Sequence, residues 1–143
     1  MRRALLVARV LAVCGLAVPR IARAEKVTSV SSAPFAQVVD AFEKSIARHG
    51  LTLVCHANAQ HGAAARGVAL KGNQVLMVFR NDLAVRLITA DPAAGFEAPI
   101  RIYLYENPDG TATVSYIRPA SLFAQYRHPE VQAIAARCHL HPG

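Results

Sequence analysis

Residues 100–117, IRIYLYENPDGTATVSYI, decide the fold. Two runs of alternating β-formers flank Asn107-Pro108-Asp109-Gly110. Proline presets the backbone at the second position of a turn, and glycine accepts the left-handed position that closes it. The stretch therefore predicts a β-hairpin. Arg118-Pro119 ends its second strand, because proline has no N–H to give to a sheet ladder.

Upstream of the hairpin, Asp91 to Pro99 is rich in Pro, Ala and Gly and predicts a loop. Asp82 to Ala90 has the spacing of a short amphipathic helix with Leu83 and Leu87 turned inward. Gln74 to Arg80 carries five successive apolar residues, Val75 to Phe79, as expected of a mid-sheet strand covered on both faces. His61 to Leu70 predicts a short helix, and Leu51, Leu53 and Cys55 alternate with Thr52, Val54 and His56 as in a strand with one buried face. Phe35, Val38, Val39, Phe42 and Ile46 form a helical stripe; Ser32 is the expected cap, Pro34 falls in the first turn, and Gly50 is the stop. Lys26 to Ser31 reads as the first strand, while Ser121 to Tyr126 and Pro129 to Cys138 read as a short and a longer final helix. The order β-α-β-α-β-α-β-β-α predicts an α+β fold: a single small domain in which helices pack on a mixed, mostly antiparallel sheet.

The first 24 residues read as a leader. Arg2 and Arg3 precede a mostly apolar run, Ala4 to Val18, and Ala22-Arg23-Ala24 supplies the small-x-small pattern cut by a signal peptidase. Arg9 interrupts the run and Pro19-Arg20 closes it short of the roughly 20 apolar residues that a membrane span needs. Cleavage after Ala24 leaves a 119-residue domain, 25–143, with no transmembrane segment and a periplasmic or secreted destination. Loss of five arginines reduces 16 basic residues to 11, against 9 acidic ones. So small an excess, with no basic cluster after residue 25, excludes a nucleic-acid surface.

Cys55 and Cys138 remain in the mature domain, and an oxidising compartment makes them a candidate disulfide; two separate buried thiols are the alternative.

Several short segments, in order, resemble the family catalogued as domain of unknown function 302. His61 with Ala65 and Leu70 resembles its His-x-x-x-Ala segment. Val78-Phe79-Arg80-Asn81-Asp82 resembles an apolar strand that ends in Phe-Gly-Asn-Pro. Ala98-Pro99-Ile100-Arg101 resembles its Leu-Pro-Leu-Arg, and Tyr116-Ile117-Arg118-Pro119 its Tyr-Asn-Asp-Pro. Arg80 stands in place of the family's glycine, Asp82 of its proline, Ala69 of a glycine and Arg118 of a small acidic or amide residue. The resemblance implies a small α+β domain, often found alone, with a homodimer as the expected assembly and no activity attached to the family as a whole. A glycine loop leaves space for close approach, so Arg80 either fills that space or adds a charge.

His61 is the first candidate for chemistry, since an imidazole serves as acid, base or metal ligand near neutral pH; a helix-end histidine that only fixes a turn is the competing reading. Candidate ligand-binding partners are Arg66, Asn81, Arg101 and His128. Cys138, His139 and His141 carry the ligand types that zinc and copper prefer, but their spacing matches no zinc pattern. Tyr103, Tyr105 and Tyr116 on the hairpin form a polar-aromatic strip suited either to a ligand or partner or to ordinary cross-strand pairing. No Gly-x-Ser-x-Gly, phosphate loop or paired carboxylate is present. The leading expectation is an exported domain that binds a small ligand or a partner protein, without a complete catalytic set. The alternatives are a small enzyme with His61 as general acid or base, and a metal or haem accessory protein using His61, His128 or the C-terminal Cys and His residues. The cofactor is not specified by the sequence.

Overall fold

A computed structural model of the protein describes residues 24–138. The expected leader up to residue 23, and the terminal His139 and His141, lie outside the described residues. The chain runs β1 (Lys26–Pro34), α1 (Phe35–Arg48), β2 (Thr52–Asn58), α2 (Ala59–Ala64), β3 (Asn73–Phe79), α3 (Asn81–Ala90), β4 (Ile100–Glu106), β5 (Thr111–Ile117), α4 (Pro119–Leu122) and α5 (Pro129–Arg137). Short 3-10 turns at Pro92–Glu97 and Phe123–Gln125 complete it. No helix among the described residues is long and apolar enough to cross a membrane.

The hairpin forms at the turn the sequence predicts. Gly110 N–H donates to Asn107 O at 3.0 Å, and Gly110 has φ +85°. The sheet order is β1-β5-β4-β3-β2, with all four pairings antiparallel. The hairpin therefore occupies the middle of the sheet, and the parallel component expected of a mixed sheet is absent.

One face of the sheet carries α1. Leu76 and Val78 of β3, Ile102 and Leu104 of β4, and Ala112 and Val114 of β5 point to it and bury against Phe35, Val38, Val39 and Ile46. Leu76 and Leu104 are fully buried, each worth about 1.5–3 kcal/mol relative to exposure. A second core lies beyond the sheet, where Leu83 and Leu87 of α3 meet Ala94, Phe123, and Val131, Ile134 and Ala135 of α5. Ile100 touches both cores.

Two local expectations are corrected. β3 is covered on one face only: Gln74, Leu76 and Val78 are buried, whereas Val75, Met77 and Phe79 are part-exposed. Its apolar run reflects an open sheet face with sparse charge, not helices on both sides. Ser32 does not cap α1, because β1 continues to Pro34, whose ψ of 143° is extended. The first helical N–H is instead satisfied across the fold, with Phe35 N–H donating to Gly110 O at 3.0 Å. At the other end, Gly50 (φ +65°) donates to Ala47 O and stops the helix, as its left-handed freedom allows.

Candidate functional site

Between the two cores lies a half-open cleft of about 240 Å³. Val78 and Ile100 form its sheet side, Leu83 and Leu87 come from α3, and Phe123 and Ile134 close the far side. Four more lining residues are polar or part-exposed: His49 after α1, Arg80 between β3 and α3, and Arg137 and Cys138 at the end of α5. Buried apolar walls with an exposed polar rim have the character that suits a mostly apolar molecule with a polar end.

Arg80 is fixed in place. Its Nε donates to Asp82 Oδ1 at 2.8 Å and its Nη2 to Asp82 Oδ2 at 2.6 Å, a two-point fork. The Arg80 hydrogen bond is the main reason the Asp82 carboxyl is held down at about 2. In return, the Asp82 hydrogen bond and charge push the guanidinium further up. Arg137 has no carboxylate partner among the described residues. His49 Nδ1 sits 2.8 Å from the Ser45 carbonyl oxygen; a carbonyl only accepts, so Nδ1 carries the proton and Nε2 is left available. Burial pushes the Cys138 thiol up, with the Arg80 charge pulling weakly the other way, so the thiol is neutral at pH 7.

The residues singled out from sequence are dispersed. His61 lies on α2, exposed, its backbone N–H donating to Asn58 Oδ1 at 2.9 Å. Arg66 is exposed in the turn that follows, where its N–H meets Ala63 O. Asn58 pairs with Gln74 near the start of β3, while Asn81 follows its end, so seven strand residues, roughly 20 Å, separate His61 from Asn81. Arg101 is exposed on the helix-free face, opposite Met77. His128 caps α5, its Nδ1 accepting from Glu130 N–H at 3.2 Å. None of the five lines the cleft.

Both cysteines are free. Cys55 is exposed and in register with Met77 on the helix-free face, whereas Cys138 lines the cleft beside Val78 on the other, so the candidate disulfide does not form, and of the two separate thiols Cys55 is not buried. Among the described residues no three His, Cys, Asp or Glu side chains gather as a metal site; two of the three sequence candidates fall outside them.

The helix-free face holds the tyrosine strip. The Tyr103 and Tyr105 rings pack at a tilt of 36° with centroids 5.6 Å apart, and Asn73 Nδ2 donates to the Tyr103 hydroxyl at 2.6 Å. Tyr116 points to the opposite face, since it pairs with Ile102. Tyr103 of the strip, with Arg101, Lys26 and Phe96, lines a second half-open groove of about 750 Å³.

His49 and Arg137 went unnoticed in the sequence because each is a basic residue at a helix end, where macrodipole and solvent suffice to explain it. Arg80 did carry a signal, as a departure from a glycine.

A five-stranded antiparallel sheet with one helical face and a helix-walled cleft at its end is an α+β domain of a defined type. The chain belongs to the family described as Domain of unknown function DUF302, whose sequence profile matches residues 27–139. The crystal structure of an uncharacterized conserved DUF302 protein from Bacillus stearothermophilus is similar, with a TM-score of 0.66 over 78% of this chain and 88% of that one at 18% identity. Among curated proteins none matches.

Proposed function

We propose that this protein is an exported small-ligand-binding domain and that the cleft between its two cores is the binding site. The observation that carries the reading is convergence. Three of the four segments that resemble the family meet at the cleft: Phe79 and Arg80 from the first, Pro99 and Ile100 from the second, and Pro119 from the third. These segments are far apart in sequence, and a shared ligand gives them a common reason to meet. The cleft exceeds the roughly 150 Å³ of an apolar cavity that admits benzene but falls short of the roughly 300 Å³ at which drug-sized pockets begin, so the ligand is small.

Cleft filling tests this. Cyclohexanol titrated into the protein should shift the methyl resonances of Leu83, Leu87 and Ile134, and Ala84→Leu, which puts a larger side chain on the cleft wall, should abolish the shifts. Shifts that persist in Ala84→Leu place the site elsewhere. The leader supports export to the periplasm or beyond. Protein recovered from that fraction should begin at Glu25, and an intact Met1 contradicts export.

Partner binding is a second reading, favoured by the helix-free sheet face, where Val30 is 72% exposed and Phe96, beside the groove, 89%. Such apolar exposure suits association with another copy of the chain or with a different protein. Sedimentation equilibrium tests the homodimer: a monomer at all concentrations removes it.

A further inference from the structure

We infer that the cleft selects a small amphipathic monoacid, an apolar body bearing one carboxylate, and that Arg80 and Arg137 read its charge. The inference rests on the cleft being the binding site. An apolar cavity of about 150 Å³ holds the six carbons of benzene, and by proportion 240 Å³ holds about ten non-hydrogen atoms. The body must be apolar. Leu83, Leu87, Phe123 and Ile134 offer no hydrogen-bond partner, and a polar group placed against them is stranded.

The head must be anionic for two reasons. Asp82 takes up Nε and Nη2 on one edge of the Arg80 guanidinium, and Nη1 makes no hydrogen bond among the described residues. A guanidinium has five N–H donors, so Asp82 orients it without exhausting it. Arg137, with no carboxylate partner among the described residues, leaves one positive charge uncompensated among them at the cleft after Asp82 has balanced Arg80. The glycine that the family pattern has at position 80 supplies no such cation, so acid selection is a property of this chain's own residues.

The test compares hexanoate with its neutral counterpart hexanamide, each titrated into the purified protein and followed through the methyl resonances of Leu83, Leu87 and Ile134. Hexanoate should bind at least about tenfold more tightly. In the doubly substituted Arg80→Gly, Arg137→Ala protein the two affinities should converge, with that for hexanamide unchanged. Arg80→Met with Arg137→Met keeps the apolar stems and should give the same convergence, which separates lost charge from lost packing. Equal affinities in the unsubstituted protein overturn acid selection while leaving the cleft as the site. If neither compound shifts these methyls, the site itself is wrong and this inference falls with it.

Discussion

Arg80, which lines the cleft, and Asp82 form a fork in which both carboxylate oxygens are used, at 2.8 and 2.6 Å, at the two positions that depart from the glycine and proline of the resembled segment. The two departures are therefore one change. An arginine placed there alone has no fixed direction, and the aspartate two residues on supplies it.

The fork predicts a titration. The folded-state Asp82 carboxyl, near 2, lies below its unfolded value, so its stabilising contribution is complete above the ordinary aspartate range and is lost as pH falls from about 4 towards 2. Carboxyl-carbon NMR should show Asp82 titrating near 2, with Arg80→Gly moving the midpoint upward. An unchanged midpoint in that variant means the fork does not persist in solution.

Gly72 lies against the ring of Phe35 so closely that a Cβ there would overlap it. Gly72→Ala should therefore destabilise the domain by about 1–3 kcal/mol, the usual cost of overpacking. Thermal melts check this, and Phe35→Leu in the same chain should recover part of the loss. An additive double variant would show that the ring already moves aside.

Gly110 closes the central hairpin at φ +85°. Gly110→Ala forces a side chain into left-handed backbone and should cost about 1–2 kcal/mol in chemical denaturation. A neutral effect would mean that the turn relaxes to another type. Pro108 and Gly110 are also why the hairpin was legible in sequence: turn chemistry is local, and so was the helical stripe of Phe35 to Ile46. What was not legible depends on distant contacts. Ser32 lost its capping role because Gly110 O reaches Phe35 N–H across the fold. The apolar run of β3 looked doubly covered because periodicity cannot distinguish a helix-packed face from an open one that happens to carry Val75 and Met77. The cleft was least visible of all. Its polar residues come from two helix ends and a strand end, whereas His61, the histidine that the motif favoured, sits on the exposed α2.

The two thiols should react at different rates. Cys55 is exposed, while burial raises Cys138. A raised folded-state value favours the neutral thiol, and the associated stability, present below the unfolded value, is lost as pH rises through the folded one. Ellman's reagent at pH 8 should show one fast and one slow sulfhydryl. Cys55→Ser should remove the fast phase, and hexanoate should slow the remaining phase further. A single fast phase for both would place Cys138 outside the cleft.

The central claim is that a guest enters the space between the two cores. Crystals pressurised with xenon test it without assuming any ligand, since xenon occupies dry apolar cavities. The account predicts one strong anomalous peak between Leu83, Leu87, Phe123 and Ile134, absent in Ala84→Leu. Xenon bound only in the groove beside Phe96, or nowhere, contradicts it.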